Sequence, residues 1–181
     1  MVLKANIRKI AFSGVIAALY AALTIAIAPV AYGPVQFRIA EALCILPFFF
    51  PFAVPGLFVG CIIANLLSPY GILDVVAGSS ASLLAALCTM WIGRLSTRES
   101  LAVKAMACFP PVIINAVFIG ALIAYYMVGA GEAKTFLPAF ALNGLQVGFG
   151  QLVVLYALGF PIMIYLSKKR VIERLQKLYL G

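Results

Sequence analysis

The sequence predicts an all-α integral membrane protein with six transmembrane helices and both termini on the cytoplasmic side. Three observations predict it. First, 65% of the 181 residues are hydrophobic and only 10% are charged, with a mean hydropathy of +1.14; soluble globular domains do not have that composition. Second, the apolar residues fall into six runs. At about 20 residues per crossing of a ~30 Å hydrocarbon layer, six spans use about 120 residues and leave about 60 for loops and ends. The chain therefore reads as one six-helix domain, 1–181, with no room for a separate soluble domain. Third, the 13 Lys and Arg divide unevenly between the two sides. With six spans and an inner N-terminus, Lys4, Arg8, Lys9, Arg94, Arg98, Lys104, Lys168, Lys169, Arg170, Arg174 and Lys177 lie inside, and only Arg38 and Lys134 lie outside. That asymmetry obeys the positive-inside rule, and an odd number of spans spoils it.

The first span is expected over 10–31. Its start imitates a secretory signal, but the apolar run is too long for a signal core and five more follow, so it reads as a retained helix. Small residues such as Gly14, Ala17, Ala18, Ala21 and Ala22 let another helix approach closely. Pro29 and the Tyr32-Gly33-Pro34 turn end it. The second span, 38–50, is short. Pro47, Pro51 and Pro55 remove backbone donors at four-residue spacing, so spans two and three (56–67) read as a broken pair joined by a tight turn. Span four covers 74–93, with Asp74 placed to cap it. The segment 94–104 is the most polar of the interior. Span five covers 105–128, and span six covers 136–166. The tail, 168–181, is basic with spaced leucines and reads as an amphipathic surface helix.

Several function classes drop out. The net charge of +8 would suggest nucleic acid in a soluble protein. Here the basic residues flank apolar runs, where they orient the chain and meet anionic headgroups, so no nucleic-acid partner is expected. Cys44, Cys61, Cys88 and Cys108 have no metal-type spacing, and the chain has no histidine. Neither a metal site nor a His-based triad is expected, and no cofactor is implied. Ser79 and Ser80 lack an evident base, so no catalytic residue is assigned. No Gly-Lys pair occurs, so the phosphate-binding loop is absent.

The polar residues carry the functional reading. Only five residues are acidic, and a carboxyl group inside a membrane protein is a functional-site hypothesis by default. On the topology above, Gln36, Arg38 and Glu41 open span two at the outer side. Asn65 ends span three, Asp74, Ser79 and Ser80 begin span four, Asn115 lies mid-span five, and Asn143 and Gln146 lie in the outer half of span six. The inner halves offer little beyond Ser13 and Thr89. A channel needs polar groups along its whole length, whereas a cup open to one side needs them at one level. Each group also has a plainer role: Arg38 and Glu41, three apart, can neutralise each other, Asp74 can be a cap, and the amides can glue helices. A cup with amides and carboxyl groups offers donors and acceptors to a small polar ligand, and Phe37, Tyr70, Tyr125 and Tyr126 offer faces for a flat ring. The residues alone do not choose that ligand over a vitamin or an amine.

The stretch YGPVQFRIAE, with Leu-Pro-Phe-Phe, Pro-Gly-Leu-Phe-x-Gly-Cys, Ala-Asn and Gly-x-x-Asp after it, resembles the queuosine-precursor transporter (QueT) family. That resemblance implies a six-helix fold of the kind found in substrate-binding S components of energy-coupling-factor (ECF) importers. It implies a 7-deazaguanine ligand (a queuosine precursor or queuine) bound near the outer face of a bacterial plasma membrane. It implies a transmembrane coupling subunit and two cytoplasmic ATPases as partners, with Ala17, Ala18, Ala21 and Ala22 as the docking face. Expected ligand contacts are Glu41, Arg38, Gln36, Asp74, Asn65, Asn115, Asn143, Gln146, Phe37 and Tyr70. The alternatives are an S component for another small ligand, such as a vitamin, or a stand-alone facilitator.

Overall fold

The computed structural model describes residues 2–33, 35–95, 100–168, 171 and 174. Among these every regular element is helical: α1 (Val2–Ala26), α2 (Ala28–Ala31), a 3-10 helix (Ile39–Phe48), a 3-10 turn (Pro51–Ala53), α3 (Val54–Asn65), α4 (Gly71–Leu95), α5 (Leu101–Ala107), α6 (Phe109–Gly129), α7 (Phe136–Val154), a π turn (Leu155–Gly159) and α8 (Phe160–Leu166). Most of the proposed tail and the loop 96–99 lie outside the described residues.

Among the described residues four stretches are long and apolar enough to cross a membrane: Asn6–Ala26, Gly71–Leu95, Leu101–Gly129 and Phe136–Leu166. The expected second and third spans are the shorter apolar helices Ile39–Phe48 and Pro51–Asn65. The second is not α-helical. Pro47 lies inside it and supplies no donor, and the segment winds as a ten-residue 3-10 helix, well beyond the usual three or four residues. The break after it falls where the prolines predict, with Pro51 opening the 3-10 turn and Pro55 in the first turn of α3.

Two further boundaries have local causes. Span five is interrupted at Cys108, where Pro110 and Pro111 start α6. Ser100 caps α5 and accepts from the Val103 N–H at 3.3 Å. Span six keeps its expected limits but widens at Leu155–Gly159 into a π turn.

Helix register follows from the contacts. Gly60 packs against α1: a Cβ there would lie 2.8 Å from the Ala17 carbonyl oxygen and from Tyr20 Cβ. Glycine is what lets α1 and α3 close to that distance. Gly56 meets Ser13 and Ile16 one turn earlier, so the two helices run parallel. Helices α4 and α6 run antiparallel, tied by Tyr126 Oη donating to the Tyr70 carbonyl (2.6 Å) and Thr89 Oγ1 to the Ala107 carbonyl (3.2 Å). Helices α6 and α7 are antiparallel too, with Gly120 on Gly144 and Ala116 on Gly148. Three apolar clusters fill the bundle. One lies around Tyr20, Leu57 and Cys61, one around Ile45, Leu155 and Met163, and one around Ile119, Ile123 and Val147.

Candidate functional site

A connected set of polar side chains is sealed between these clusters. Glu41, in the first turn of the 3-10 helix, is wholly buried. Tyr20 Oη donates to its Oε1, and the Cys44 thiol to its Oε2 at 3.1 Å. Cys44 is three residues on, which a 3-10 helix places directly beside Glu41. The spacing suggests an Arg38–Glu41 pair, but among the described residues the ion pair of Arg38 is with Asp74. Arg38 stands at the N-cap of the 3-10 helix in an extended conformation, with Nη2 3.4 Å from Asp74 Oδ2 and Nε 3.3 Å from the Ala31 carbonyl. Its guanidinium lies 5.1 Å from the centre of the Tyr32 ring, a cation–π contact.

Asp74 is correspondingly not a helix cap. Helix α4 begins three residues earlier, at Gly71, whose φ of +63° suits glycine. Asp74 thus lies in the first turn and faces inward. Asn65 Nδ2 donates to the Asp74 carbonyl (3.1 Å) and lies 3.4 Å from Cys61 Sγ, to which Ser82 also donates at 3.3 Å. Near the same end, the Tyr32 hydroxyl donates to the Ala64 carbonyl at 2.6 Å. Burial pushes the Tyr32 and Tyr70 phenols above the ordinary tyrosine range, with Asp74 adding to both, so each is a neutral donor at physiological pH.

The segment before Arg38 closes the set. Gln36 is 1% exposed and adopts φ +49°, the left-handed region a non-glycine residue rarely enters. The Val35 and Gln36 carbonyls sit on α7 at Gly150, where any Cβ would strike them. Strain of this kind persists where surrounding structure enforces it and is a pointer to function.

Five buried polar atoms in this region have no hydrogen-bond partner among the described residues: Gln36 Nε2, Asn65 Oδ1, Asp74 Oδ1, Asn115 Nδ2 and Gln151 Oε1. Each such atom costs about 1–3 kcal/mol. They come from five different segments and include both donors and acceptors, the pattern of a site with capacity for a polar ligand. A separate open hollow of about 370 Å³ between α6 and α7 is lined by Ala116, Val117, Phe140, Ala141, Gly144 and Leu145. It has no polar side chain, so the sealed cluster is the candidate site.

The remaining expected contacts divide. Asn143 is buried, but its Nδ2 is held by the Ala139 carbonyl (2.8 Å) and Met127 Sδ (3.2 Å). Gln146 is half-buried, off the stripe Asn143–Val147–Gln151 that faces inward. Phe37 packs edge-on against exposed Phe149 at 6.5 Å, and Tyr70 against Tyr126 at 5.5 Å. Of the four alanines of α1, Ala17 and Ala21 are buried against the bundle and have no surface for another chain; Ala18 and Ala22 are exposed.

The sequence matches the family described as QueT transporter over residues 10–168. The chain belongs to the QueT transporter family. One similar relative is the queuosine precursor transporter QueT of Lactococcus lactis subsp. cremoris (strain MG1363), 37% identical over 71 residues, or 38% of this chain. That match spans about two fifths of the relative's length (41%). No solved structure matches. The family's own description is of a transporter.

Sequence reasoning missed two residues of the buried set. Tyr20 reads as one more aromatic in an apolar run, yet its hydroxyl reaches Glu41. Gln151 lies four residues beyond Val147 on the inward stripe and is 1% exposed. The i, i+4, i+8 spacing from Asn143 would have found it.

Proposed function

We propose that this chain is the substrate-binding S component of an ECF-type importer in a bacterial plasma membrane, capturing a 7-deazaguanine queuosine precursor or queuine. The observation that carries the reading is the set of five unpartnered, buried donors and acceptors inside a QueT-family chain. On this reading the end bearing Tyr32, Asp74 and the loop after Gly129 faces outward, and both termini are cytoplasmic. The short helices Ile39–Phe48 and Pro51–Asn65 complete the six segments.

Asp74 Oδ1 and Asn65 Oδ1 accept ring N–H or amino groups, or a cationic aminomethyl substituent. Gln36 and Asn115 donate to ring oxygen or nitrogen. Arg38 keeps Asp74 in place, and Glu41 shapes the floor through Tyr20. Asn143 and Gln146 lie toward the mouth, with Phe37 and Tyr70 at its rim. A coupling subunit docks on α1 over Ala18 and Ala22, and two cytoplasmic ATPases supply the energy. The absence of a phosphate-binding loop in the sequence accords with hydrolysis elsewhere.

The test is binding by the purified protein, read by calorimetry and native mass spectrometry, against queuine, 7-deazaguanine, guanine and a vitamin panel. Deazaguanine selectivity with micromolar or tighter affinity is expected. A vitamin that outcompetes queuine would assign a different ligand. Uptake into liposomes by this chain alone, without ATP, would replace the S component with a facilitator.

A further inference from the structure

Two of the five open atoms belong to residues at one level of one helix pair. Ile119 of α6 and Val147 of α7 belong to one apolar cluster. One turn deeper on each antiparallel helix come Asn115, four residues before Ile119, and Gln151, four residues after Val147. They are 2% and 1% exposed. The next turn is apolar again, with Val112 and Leu155 in a second cluster. Two carboxamides are therefore layered between hydrocarbon, with Asn115 Nδ2 and Gln151 Oε1 unpartnered.

Helix glue does not explain them. Asn143, on the same stripe of α7, bonds back to the Ala139 carbonyl; no such bond holds the open atoms of Asn115 or Gln151. Their level is that of the Glu41 end of the site. The ties at Tyr126–Tyr70 and Thr89–Ala107 bring Asn115 level with Ser82. Ser82 reaches Cys61, next to the Gly60–Tyr20 contact and hence to Glu41. Gln151 also adjoins Gly150, on which the Gln36 backbone rests. The π turn begins four residues after Gln151, at Leu155, and such widenings recur at functional sites.

We propose that Gln151, together with Asn115, is a specificity-determining ligand contact: the two carboxamides form a donor–acceptor pair that reads an adjacent carbonyl and N–H, the lactam edge of a planar heterocycle. This rests on the ligand class of the preceding section. The complementarity survives exchange of O and N in both amides, since one member always donates and the other always accepts.

The test compares two probes, 7-deazaguanine and 2-amino-7-deazapurine. The second lacks the 6-oxygen and carries an unprotonated N1, so it offers one acceptor and no adjacent donor, and one amide stays unpaired whichever way the two are turned. Wild type, Gln151→Met and Asn115→Leu are titrated with each by calorimetry, and ligand-free melting is recorded in the same detergent. Wild type is expected to prefer the lactam by tenfold or more, because a site built to bond a group rejects the analogue lacking it. Each variant should bind 7-deazaguanine about tenfold more weakly and lose most of the preference. Ligand-free melting should stay level or rise, because an unpaired buried amide has been replaced by hydrocarbon. Unchanged affinity and preference in both variants overturns the assignment alone, as does a lowered melting temperature with unchanged preference. Wild type that binds neither base overturns the ligand class and this assignment with it. Should one variant not fold, the other, on a separate helix, decides.

Discussion

Replacing Arg38 by Met removes one partner of an ion pair whose side chains are 2% and 0% exposed. At the observed 3.4 Å and an effective dielectric constant of about 20, the Coulomb attraction is about 5 kcal/mol. Desolvation of both groups offsets most of it, so the intact pair contributes little net stability. Leaving either charge buried alone costs about 3–5 kcal/mol. Arg38→Met and Asp74→Leu should each destabilise by that amount. The double variant should recover nearly all of it. A residual loss of about 1 kcal/mol is expected from the missing Arg38–Ala31 hydrogen bond. The coupling between the two sites is then about 5–9 kcal/mol. The chain has a single tryptophan, Trp91, on α4. Its fluorescence can follow unfolding as the denaturing-detergent fraction rises in mixed micelles, completing the double-mutant cycle. Strictly additive losses, or single-variant losses under about 1 kcal/mol, would refute the buried pair.

Other outcomes follow from the same geometry. Tyr20→Phe leaves Glu41 Oε1 without its donor and should cost about 1–3 kcal/mol in the same unfolding assay; a neutral result would deny the contact. Gly60→Leu must push α1 off α3 and should cost at least about 1–3 kcal/mol, whereas Gly14→Ala, with nothing within 4 Å of its Cβ, should be neutral or gain about 0.5–1 kcal/mol. Gln36→Gly should relieve about 1–2 kcal/mol of left-handed strain while weakening ligand binding, and a loss of stability would place the strain elsewhere. Glu41→Gln should retain the bond from Tyr20 and melt within a few degrees of wild type. Ligand affinity should then fall less than about tenfold, because both oxygens of Glu41 are engaged within the chain; a larger loss would show direct contact by the carboxyl group.

Composition and proline placement carried much of the fold. Helical content, the start at Phe136 and the break at Pro51 were legible, because membrane spans are set by apolar length and proline by its missing donor; the first span, expected over 10–31, instead ends at Ala26, with Ala28–Ala31 a separate short helix that Pro29 opens. The 3-10 winding of Ile39–Phe48 was not legible. Its apolar run gives no period that separates 3.0 from 3.6 residues per turn. At the site, burial of Glu41, Arg38 and Asp74 followed from the rarity of charge. The pairing did not. Sequence spacing joins Arg38 to Glu41, but the extended backbone at Arg38 turns its side chain toward Asp74, 36 residues away. Gln151 is not legible from the ends of the apolar runs, because its level is set by where α6 and α7 touch.

The pairing also separates the groups that hold the site together from those left open. Both oxygens of Glu41 and one of Asp74 are engaged within the chain, and Arg38 is spent on Asp74 and Ala31. The open atoms are four neutral amide groups and a single carboxyl oxygen. Recognition by such a set depends on the direction of hydrogen bonds more than on net charge. Amide contacts in a sealed layer gain nothing from a field that salt could screen over its Debye length of ~8 Å. Affinity for a neutral planar base should therefore hold nearly constant between low and physiological ionic strength. Only a cationic substituent, which could reach just the free oxygen of Asp74, should add a salt-sensitive increment, and that increment should vanish in Asp74→Asn.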